Sequence, residues 1–370
     1  MAIVSGIPIM NTIKLRIQQK DLTLNFNEHF KNLALISQSL QKGVVDHYRS
    51  AKLTHLDAPE IVGITGACEN IDTLFRVKSK TKLPLLFTQT GQLSLEQALQ
   101  AFPGVFTVIH SGRDEDIEDE RHLRQFMLTE EEFDCTLENM TRKTYNEDTM
   151  YEALLNHIQD TVHSVIKQIL KDHKKILEEV YHRNNSELVK ASTKPFKRLE
   201  YEKAVKLLQK NGFPKLKFGD DLATEHEATI IEQLTEGKDK LPVFIMKYPQ
   251  EIKFFNMKPY TKNPKVVLSA DLILPYAGEA VGSAVREHNY EKLNQRLLKS
   301  SLYRLHIKRG GKYEDFRWYL DIIKQKRTNP HAGYGMGNER VLQYIFGESD
   351  IRNVSIFSLL NTQTHDWEKQ

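Results

Sequence analysis

Three segments of the chain combine residue types that can do chemistry. The first is Arg113-Asp114-Glu115-Asp116, followed by Arg121-His122 and Phe126. So many charges on a predicted strand–loop–strand are costly to bury unless they face a charged ligand. An arginine in such a loop can hold a phosphate through two parallel hydrogen bonds, which a lysine cannot do. Taken alone, the segment fits a salt-bridged surface loop at least as well.

The second segment carries paired carboxylates. Asp271 and Glu279 stand at opposite ends of a predicted strand–turn–strand, and Arg286-Glu287 follows shortly after it. Two carboxylates in this arrangement can hold a magnesium ion that bridges nucleotide phosphates. The acidic edge of an ordinary hairpin explains the pair equally well.

The third segment is rich in glycine. Gly333, Gly335 and Gly337 alternate with other residues and lead through Glu339-Arg340 into a predicted helix. Glycines let the backbone approach a ligand closely, and a helix N-terminus favours an anion nearby. The glycine spacing matches neither the Rossmann fingerprint nor the P-loop. Arg340 could lie flat on an aromatic base.

The elements that must position these segments can be predicted from apolar spacing. Helical periodicity predicts an amphipathic helix over 27–50 and a longer one over 148–183. Strand-like runs lie at 83–88, 105–109, 242–248 and 266–274, with a short helix between the first two and a strand then a helix over 282–299. The polar stretch 184–200 is expected to be a connection. Because strands precede and follow one helical block, we predict an α+β fold on an antiparallel sheet flanked by helices.

Bulk composition is that of a globular protein. With 370 residues, 40% hydrophobic and 27% charged, the chain fits a single domain over 1–370, with an N-terminal extension at 1–26 and a helical segment with its connection at 136–215. Two cysteines without a CxxC pair, and no apolar run long enough for a bilayer, lead us to expect a cytoplasmic protein that does not bind membranes. The net charge of +3 is too weak to argue for nucleic acid, and the cluster at Lys171 to Lys175 fits a solvated helix face.

The order of the segments resembles the catalytic domain of the asparaginyl-tRNA synthetases, in the aspartate/asparagine/lysine subgroup of class II synthetases. The resemblance covers roughly residues 50–357. It rests on Thr90-Gly91-Gln92-Leu93-Ser94-Leu95-Glu96, on Arg113 to Glu115 and Arg121-His122-Leu123-x-x-Phe126 as motif 2, on Gly219-Asp220-Asp221-Leu222-x-x-Glu225-His226-Glu227, on Tyr319-Leu320-Asp321, and on Pro330-His331-x-Gly333-x-Gly335-x-Gly337-x-Glu339-Arg340 as motif 3.

The resemblance implies an ATP-dependent ligase that forms an aminoacyl-adenylate. Arg113 would hold the α-phosphate, and Glu115 would accept a hydrogen bond from the adenine amino group. Phe126 and Arg340 would stack on the two faces of the adenine. Arg121 and His122 would complete the ATP site, and Asp271 and Glu279 would bind Mg2+. Glu69 and Gln92 would contact the amino group of the amino acid, and Arg286 with Glu96 would read its side chain.

The residue at position 96 bears on the choice of amino acid. Aspartate-specific relatives place a lysine near this point, whereas this chain has Leu95 followed by Glu96. A carboxylate can accept a hydrogen bond from an amide and would repel the carboxylate of aspartate. Asparagine is therefore favoured over aspartate, although Glu96 could also be an ordinary helix carboxylate.

The chain also departs from the family pattern. Gly112 replaces an aromatic residue, Gly282-Ser283-Ala284-Val285 replaces Gly-Gly-Ser-Gln, and Asn338 replaces an apolar residue. The loop at 63–70 faintly resembles the ammonia-dependent asparagine synthetase of the same superfamily. The residues before 27 are too few for the five-stranded barrel that reads the anticodon in this family, so we expect no anticodon domain.

Three functional hypotheses follow from the resemblance and these departures. We favour transfer of the activated amino acid to a non-tRNA acceptor, namely ammonia, an amine or a carrier. The first alternative is charging of tRNA without an anticodon domain, and the second is a non-catalytic regulator that binds nucleotide or amino acid. The resemblance also implies a homodimer formed through the motif 1 region, at about 30–60.

Overall fold

The computed structural model describes residues 11–65, 73–80, 85–115, 119–235 and 239–356. Its helices are α1 Phe26–Ser50, α2 Gln92–Ala98, α3 Glu147–Glu179, α4 Asn185–Ala191, α5 Tyr201–Lys210, α6 Thr224–Leu234, α7 Tyr290–Lys299, α8 Ser301–Lys308, α9 Arg317–Lys324 and α10 Asn338–Phe346. Its strands are β1 Thr12–Ile17, β2 Lys20–Asn25, β3 Thr54–His55, β4 Ile61–Val62, β5 Arg76–Val77, β6 Leu85–Phe87, β7 Gly104–Gly112, β8 Gln125–Asp134, β9 Lys197–Glu200, β10 Val243–Met246, β11 Pro259–Tyr260, β12 Asn263–Val267, β13 Ser269–Leu274, β14 Gly278–Val285 and β15 His331–Gly337.

The main sheet has eight strands in the order β3-β7-β8-β15-β14-β13-β10-β9. Every pair from β7 to β10 is antiparallel, whereas the two outer pairs, β3 with β7 and β9 with β10, are parallel. The prediction of an α+β fold on an antiparallel sheet is therefore confirmed.

Helices α1 and α3 pack together against one face of this sheet. The two helices approach closely at Gly43, where a Cβ atom would lie 2.9 Å from the Cα of Val165. The helix predicted over 27–50 is α1, which begins after the N-cap Asn25. The described part of the 1–26 extension is the hairpin β1–β2, and its residues Ile13, Leu15 and Ile17 belong to the same apolar core.

Other local predictions need correction. The stretch 184–200 is not an irregular connection, because Asn184 caps α4, which buries Leu188, and β9 then pairs with β10. The helix α6, between the predicted connection at 184–200 and the strand predicted at 242–248, was not predicted from the sequence. The glycine-rich segment at 333–337 belongs to strand β15, and the helix predicted to follow it is confirmed as α10. None of the helices that the structure describes is long and apolar enough to span a bilayer.

Candidate active site

A cleft of about 980 Å³ lies on the sheet face opposite α1 and α3, with β8, β15, β14 and β13 as its floor. Ten of the predicted site residues line it: Gln92, Arg113, Glu115, Arg121, His122, Phe126, Asp271, Glu279, Arg286 and Arg340. The fold thus brings together residues that are up to 248 positions apart in the chain. Of the other two, Glu96 is buried beneath the cleft, and Glu69 lies outside the described residues.

The middle of the cleft floor is nearly free of side chains. Glu130 of β8 pairs with Gly335 of β15, which lies next to Gly282 of β14, which in turn pairs with Asp271 of β13. This row runs across the sheet from carboxylate to carboxylate over two glycines. A ligand can therefore lie directly on the backbone, with polar groups on either side of it.

One end of the cleft is built for a flat, anionic ligand. The guanidinium of Arg113 lies 5.6 Å from the ring centroid of Phe126. Arg340 is anchored because it donates hydrogen bonds to the carbonyl of Ala277 and, at 2.6 Å, to that of Arg121. Burial, with the nearby charge of Arg121, lowers the pKa of Arg340 to about 10, so it stays cationic at neutral pH.

Two side-chain contacts hold Phe126 and Arg340 in place through their sequence neighbours. The carboxylate of Glu339 accepts from the backbone N–H of Met127 at 3.1 and 3.2 Å, and burial raises its pKa to about 7. Thr129 Oγ1 donates to Asn338 Oδ1 at 2.8 Å. The unusual Asn338 thus has a partner on β8, and the start of α10 is fixed against that strand.

The two remaining residues of the motif 2 loop are held by carboxylates. Arg121 donates to Glu227 at 3.3 Å, and the nitrogen Nδ1 of His122 lies 2.9 Å from a carboxylate oxygen of Asp119. Glu227 is the last residue of the 219–227 motif and itself lines the cleft. Its pKa is raised by burial, an effect that Arg121 partly offsets.

The two predicted metal ligands lie side by side. Glu279 Oε1 is 3.2 Å from where a Cβ of Gly282 would stand, and Gly282 pairs directly with Asp271. Lys253 donates to Asp271 at 2.7 Å, and both side chains are almost fully buried. Two oxygen-bearing groups of this kind suit a hard divalent cation, with Lys253 neutralising part of the charge.

The other end of the cleft holds a buried ion pair. Arg286 donates to Glu132 through Nε at 3.1 Å and through a second, shorter bond from its terminal nitrogen. Burial raises the pKa of Glu132 to about 7, against the opposing charge of Arg286. The glycine at position 333 leaves room for the Glu132 side chain in this ion pair, since a Cβ at that position would lie 2.2 Å from the carboxyl carbon of Glu132.

The buried carboxylate of Glu96 lies beside this ion pair and is surrounded by hydrogen-bond donors. Its two oxygens accept from Gln92, Asn256, Tyr319 and His331 at 2.8, 2.9, 2.8 and 3.0 Å. The pKa of Glu96 is lowered, because His331 and Arg286 together outweigh the effect of burial. By distance, Glu96, Glu132 and His331 could together hold a metal ion, but the guanidinium of Arg286 already supplies a cation to this group.

Sequence reasoning missed two carboxylates of the cleft, Glu130 and Glu132. Glu130 accepts from the backbone N–H of Gly91 at 2.6 Å and from the hydroxyl of Thr90, and burial raises its pKa to about 7. Between them, Glu131 points to the opposite face, where it accepts from Tyr334 at 2.7 Å. The available signal was the run of three glutamates just after Phe126, which a strand splits between two faces.

The two ends of the cleft are well separated. Phe126 and Glu132 are six residues apart on β8, a distance of about 20 Å at the rise of an extended strand. The arrangement therefore offers an aromatic and cationic site for a nucleotide, a pair of carboxylates for a cation, and a polar, charge-paired pocket for a small zwitterion.

The chain is similar to known proteins of one family. The family model described as tRNA synthetases class II (D, K and N) matches residues 12–361. The chain is 32% identical over 326 residues to the asparagine–tRNA ligase of Pelotomaculum thermopropionicum, covering 87% of this chain and 67% of that one. It is 30% identical over 295 residues to that of Thermococcus kodakarensis, covering 80% of this chain and 61% of the relative.

Solved structures show the same likeness. The asparaginyl-tRNA synthetase from Pyrococcus horikoshii complexed with asparaginyl-adenylate superposes with a TM-score of 0.76 at 26% identity, over 89% of this chain and 68% of that one. The asparaginyl-tRNA synthetase from Entamoeba histolytica, also with asparaginyl-adenylate, gives 0.72 at 26% identity, over 89% and 67%.

Proposed function

The chain belongs to the family of class II tRNA synthetases of the D, K and N type, and from that premise we propose that it activates asparagine with ATP. The observation that carries the proposal is a single cleft with Phe126 and Arg340 at one end and the Arg286–Glu132 pair at the other. A separation of about 20 Å leaves room for an adenylate joined to an amino acid.

The proposed reaction needs no covalent enzyme intermediate. A carboxylate oxygen of the amino acid attacks the α-phosphorus of ATP and forms a mixed anhydride. The bond from that phosphorus to the bridging oxygen breaks, and pyrophosphate leaves with the electron pair. Arg113 stabilises the charge that builds up on the α-phosphate, and fixed positioning of both reactants lowers the entropic barrier.

Adenine would lie between Phe126 and Arg340, with Glu115 accepting from its amino group. The contacts of Met127 with Glu339 support this assignment because they fix the distance between the two flanking residues. Arg121 and His122 would reach the distal phosphates from the same loop.

A magnesium ion fits the neighbouring carboxylates of Asp271 and Glu279. It would neutralise charge on the phosphates of ATP. Lys253 would keep Asp271 correctly oriented, since its ammonium group donates a hydrogen bond to that carboxylate.

The charge balance near Arg286 supports an amide-bearing substrate. Glu132 already supplies the counter-charge to Arg286, so a second carboxylate there would meet net repulsion. An amide can accept from the guanidinium and donate to a glutamate at once. We assign the ammonium group of the substrate to Glu130 and Gln92, with Glu69 as predicted from the sequence. Glu96, which shares its oxygens among four donors, would act by positioning Arg286 and Gln92.

The acceptor of the activated amino acid, in the second half of the reaction, is a separate proposal. The sequence favours transfer to ammonia, an amine or a carrier, because residues 282–285 differ from the family pattern. Two of these residues, Gly282 and Ser283, line the cleft. Whatever the acceptor, its nucleophilic group attacks the acyl carbon of the adenylate, and AMP leaves. The alternative acceptor is tRNA, and aminoacylation of total tRNA with radiolabelled asparagine separates the two. Robust charging would refute the non-tRNA proposal.

Amino-acid-dependent exchange of pyrophosphate into ATP tests the first half of the reaction. We expect exchange with asparagine and at least about tenfold less with aspartate, the smallest difference that one misplaced charge should cause. Absence of exchange with all twenty amino acids would refute the proposal and leave the regulatory alternative.

We further propose a cytoplasmic homodimer formed through α1 and the strands that follow it. Leu35 on α1 and Ile61 on β4 are large apolar residues with 37% and 55% of their surface exposed. Light scattering at micromolar concentration should give twice the mass of the chain, and a monomer would contradict this.

A further inference from the structure

One part of the cleft has no role in the proposed activation of asparagine. It is formed where the end of α7 and the start of α8 face the segment 250–255. Six residues with side chains of complementary chemistry line it, and we call them the outer subsite: Glu251, Ile252, Phe254, Arg296, Lys299 and Arg304.

The outer subsite lies at the amino-acid end of the cleft. Arg296 ties its two sides together, because its guanidinium donates to the carbonyls of Phe254 and Phe255 at 3.1 and 2.8 Å. Phe255 belongs to the same apolar cluster as Leu93, which follows Gln92 in α2. Since Gln92 is assigned to the ammonium group of the substrate, a second ligand in the outer subsite would lie next to the amino acid and not next to the adenine.

The helical side of the outer subsite is cationic. Residues 292–312 contain seven lysines and arginines and no aspartate or glutamate, although the whole chain has a formal charge of only +3. Lys299 and Arg304 are exposed, and in the part of the chain that the structure describes neither forms an ion pair with a carboxylate. Arg304 donates to the carbonyl of Lys299 at 2.6 Å, which keeps the two residues together. Such a pair suits a carboxylate, which an arginine can bind through two parallel hydrogen bonds.

The facing segment adds an apolar surface and one acidic group. Ile252 and Phe254 are half-buried, so part of each side chain is left open to a ligand in the cleft. Glu251 is exposed and lies close enough to Arg296 to act on its charge: burial lowers the pKa of Arg296, and Glu287 and Glu251 partly offset this. A pair of cations, an apolar wall and a carboxylate together complement an amino acid that has an apolar side chain.

We propose that the acyl acceptor is a second α-amino acid with an apolar side chain, bound in the outer subsite through its carboxylate. This rests on the proposed function and narrows its non-tRNA acceptor from amines in general to one class. The lone pair of the neutral α-amino nitrogen attacks the acyl carbon of the asparaginyl-adenylate, and a C–N bond forms. The bond from that carbon to the phosphate oxygen breaks, AMP leaves with the electron pair, and the nitrogen gives one proton to water. The product is a dipeptide.

A comparison of two acceptors tests the proposal on the wild-type protein. Radiolabelled asparagine and ATP are supplied with either phenylalanine or phenethylamine, which lacks only the carboxylate. The product is identified by mass, and AMP release gives the rate. We expect asparaginyl-phenylalanine, with a kcat/KM at least about tenfold higher for phenylalanine than for phenethylamine, as the loss of one hydrogen-bonded charge should cause. Glycine should be a poorer acceptor than phenylalanine, because it has no apolar side chain to bury.

A double variant separates the outer subsite from the activation site. Lys299→Gln with Arg304→Gln removes the cation pair, and kcat/KM for phenylalanine should fall about tenfold or more. The rate with phenethylamine and the asparagine-dependent pyrophosphate exchange should stay as in wild type. The matched control is Lys308→Gln with Lys312→Gln, which changes two cations of the same stretch that lie outside the lining of the cleft. This control should resemble wild type with both acceptors.

Equal use of phenylalanine and phenethylamine by wild type would overturn the proposal, because an adenylate released into solution would react in the same way. Equal losses in the two double variants, or pyrophosphate exchange without formation of any dipeptide, would overturn it as well. Exchange is measured on every protein. Its absence in wild type is therefore recognised as a failure of the proposed function itself, and the acceptor proposal falls with it.

Discussion

Replacing Glu132 with glutamine should weaken the preference for asparagine over aspartate. Glu132 accepts two hydrogen bonds from Arg286 in a fully buried setting, so its charge is felt at the position of the substrate side chain. Glutamine keeps the shape and an acceptor oxygen but removes the charge. Arg286 would then be free to pair with the carboxylate of aspartate.

The size of the effect follows from the geometry. A carboxylate bound to the other edge of Arg286 would lie about 5 Å from Glu132, where two like charges repel by about 3 kcal/mol at an effective dielectric constant near 20. That energy corresponds to about two orders of magnitude in relative kcat/KM. Because burial raises the pKa of Glu132 to about 7, the preference in wild type should itself be greater at pH 8 than at pH 6.

The assay compares pyrophosphate exchange with asparagine and with aspartate at pH 8. Glu131→Gln is the control, because it makes the same chemical change on the preceding residue. The side chain of Glu131 forms hydrogen bonds with Tyr334 and His157 on the opposite face of the sheet. Both variants break a buried pair and should lose stability alike, by about 3–5 kcal/mol. If the two variants changed the ratio equally, or if Glu132→Gln left it unchanged, the assignment of Glu132 would be wrong.

Three further outcomes are expected. Arg340→Ala should reduce pyrophosphate exchange by at least about a hundredfold while the circular dichroism spectrum stays native, and near-normal exchange would remove its place beside the adenine. Gly333→Ala places a Cβ 2.2 Å from the carboxyl carbon of Glu132, so denaturant unfolding should show a loss of about 1–3 kcal/mol together with a higher KM for asparagine. Burial raises the pKa of Glu130 from 4.5 to about 7, so wild type should be stabilised relative to Glu130→Gln below about pH 4.5 and lose that advantage as the pH rises through 7; parallel melting curves would contradict this.

The residues that stand at the ends of elements could be predicted from the sequence. Arg113 follows β7, Phe126 is the second residue of β8 and Arg340 lies in the first turn of α10, and each belongs to a recognisable pattern of charge or glycine. Their mutual approach depends on β8 and β15 being neighbours. No local pattern specifies that pairing, which the structure shows directly.

The interior of the cleft was harder to predict because it depends on register. Whether Glu130, Glu131 or Glu132 faces the cleft depends on the register of β8, that is, on which residue of β15 each one pairs with. Glu96 illustrates another difficulty, since three of the four donors that surround this carboxylate lie 160 or more positions away in the sequence. Side-chain partners from distant parts of the chain cannot be read from spacing.

The run of three glutamates on β8 has a consequence for how this protein can change over evolutionary time. Adjacent residues there face the cleft and the helix-packed core in alternation, so losing or gaining one residue within 125–134 would turn the side chains beyond the change to the opposite face of the sheet. Many single substitutions in that strand can be absorbed one at a time, whereas a change of length cannot. Natural variants should therefore differ in residue type along β8 yet keep its length, and insertions should collect in the connections outside it.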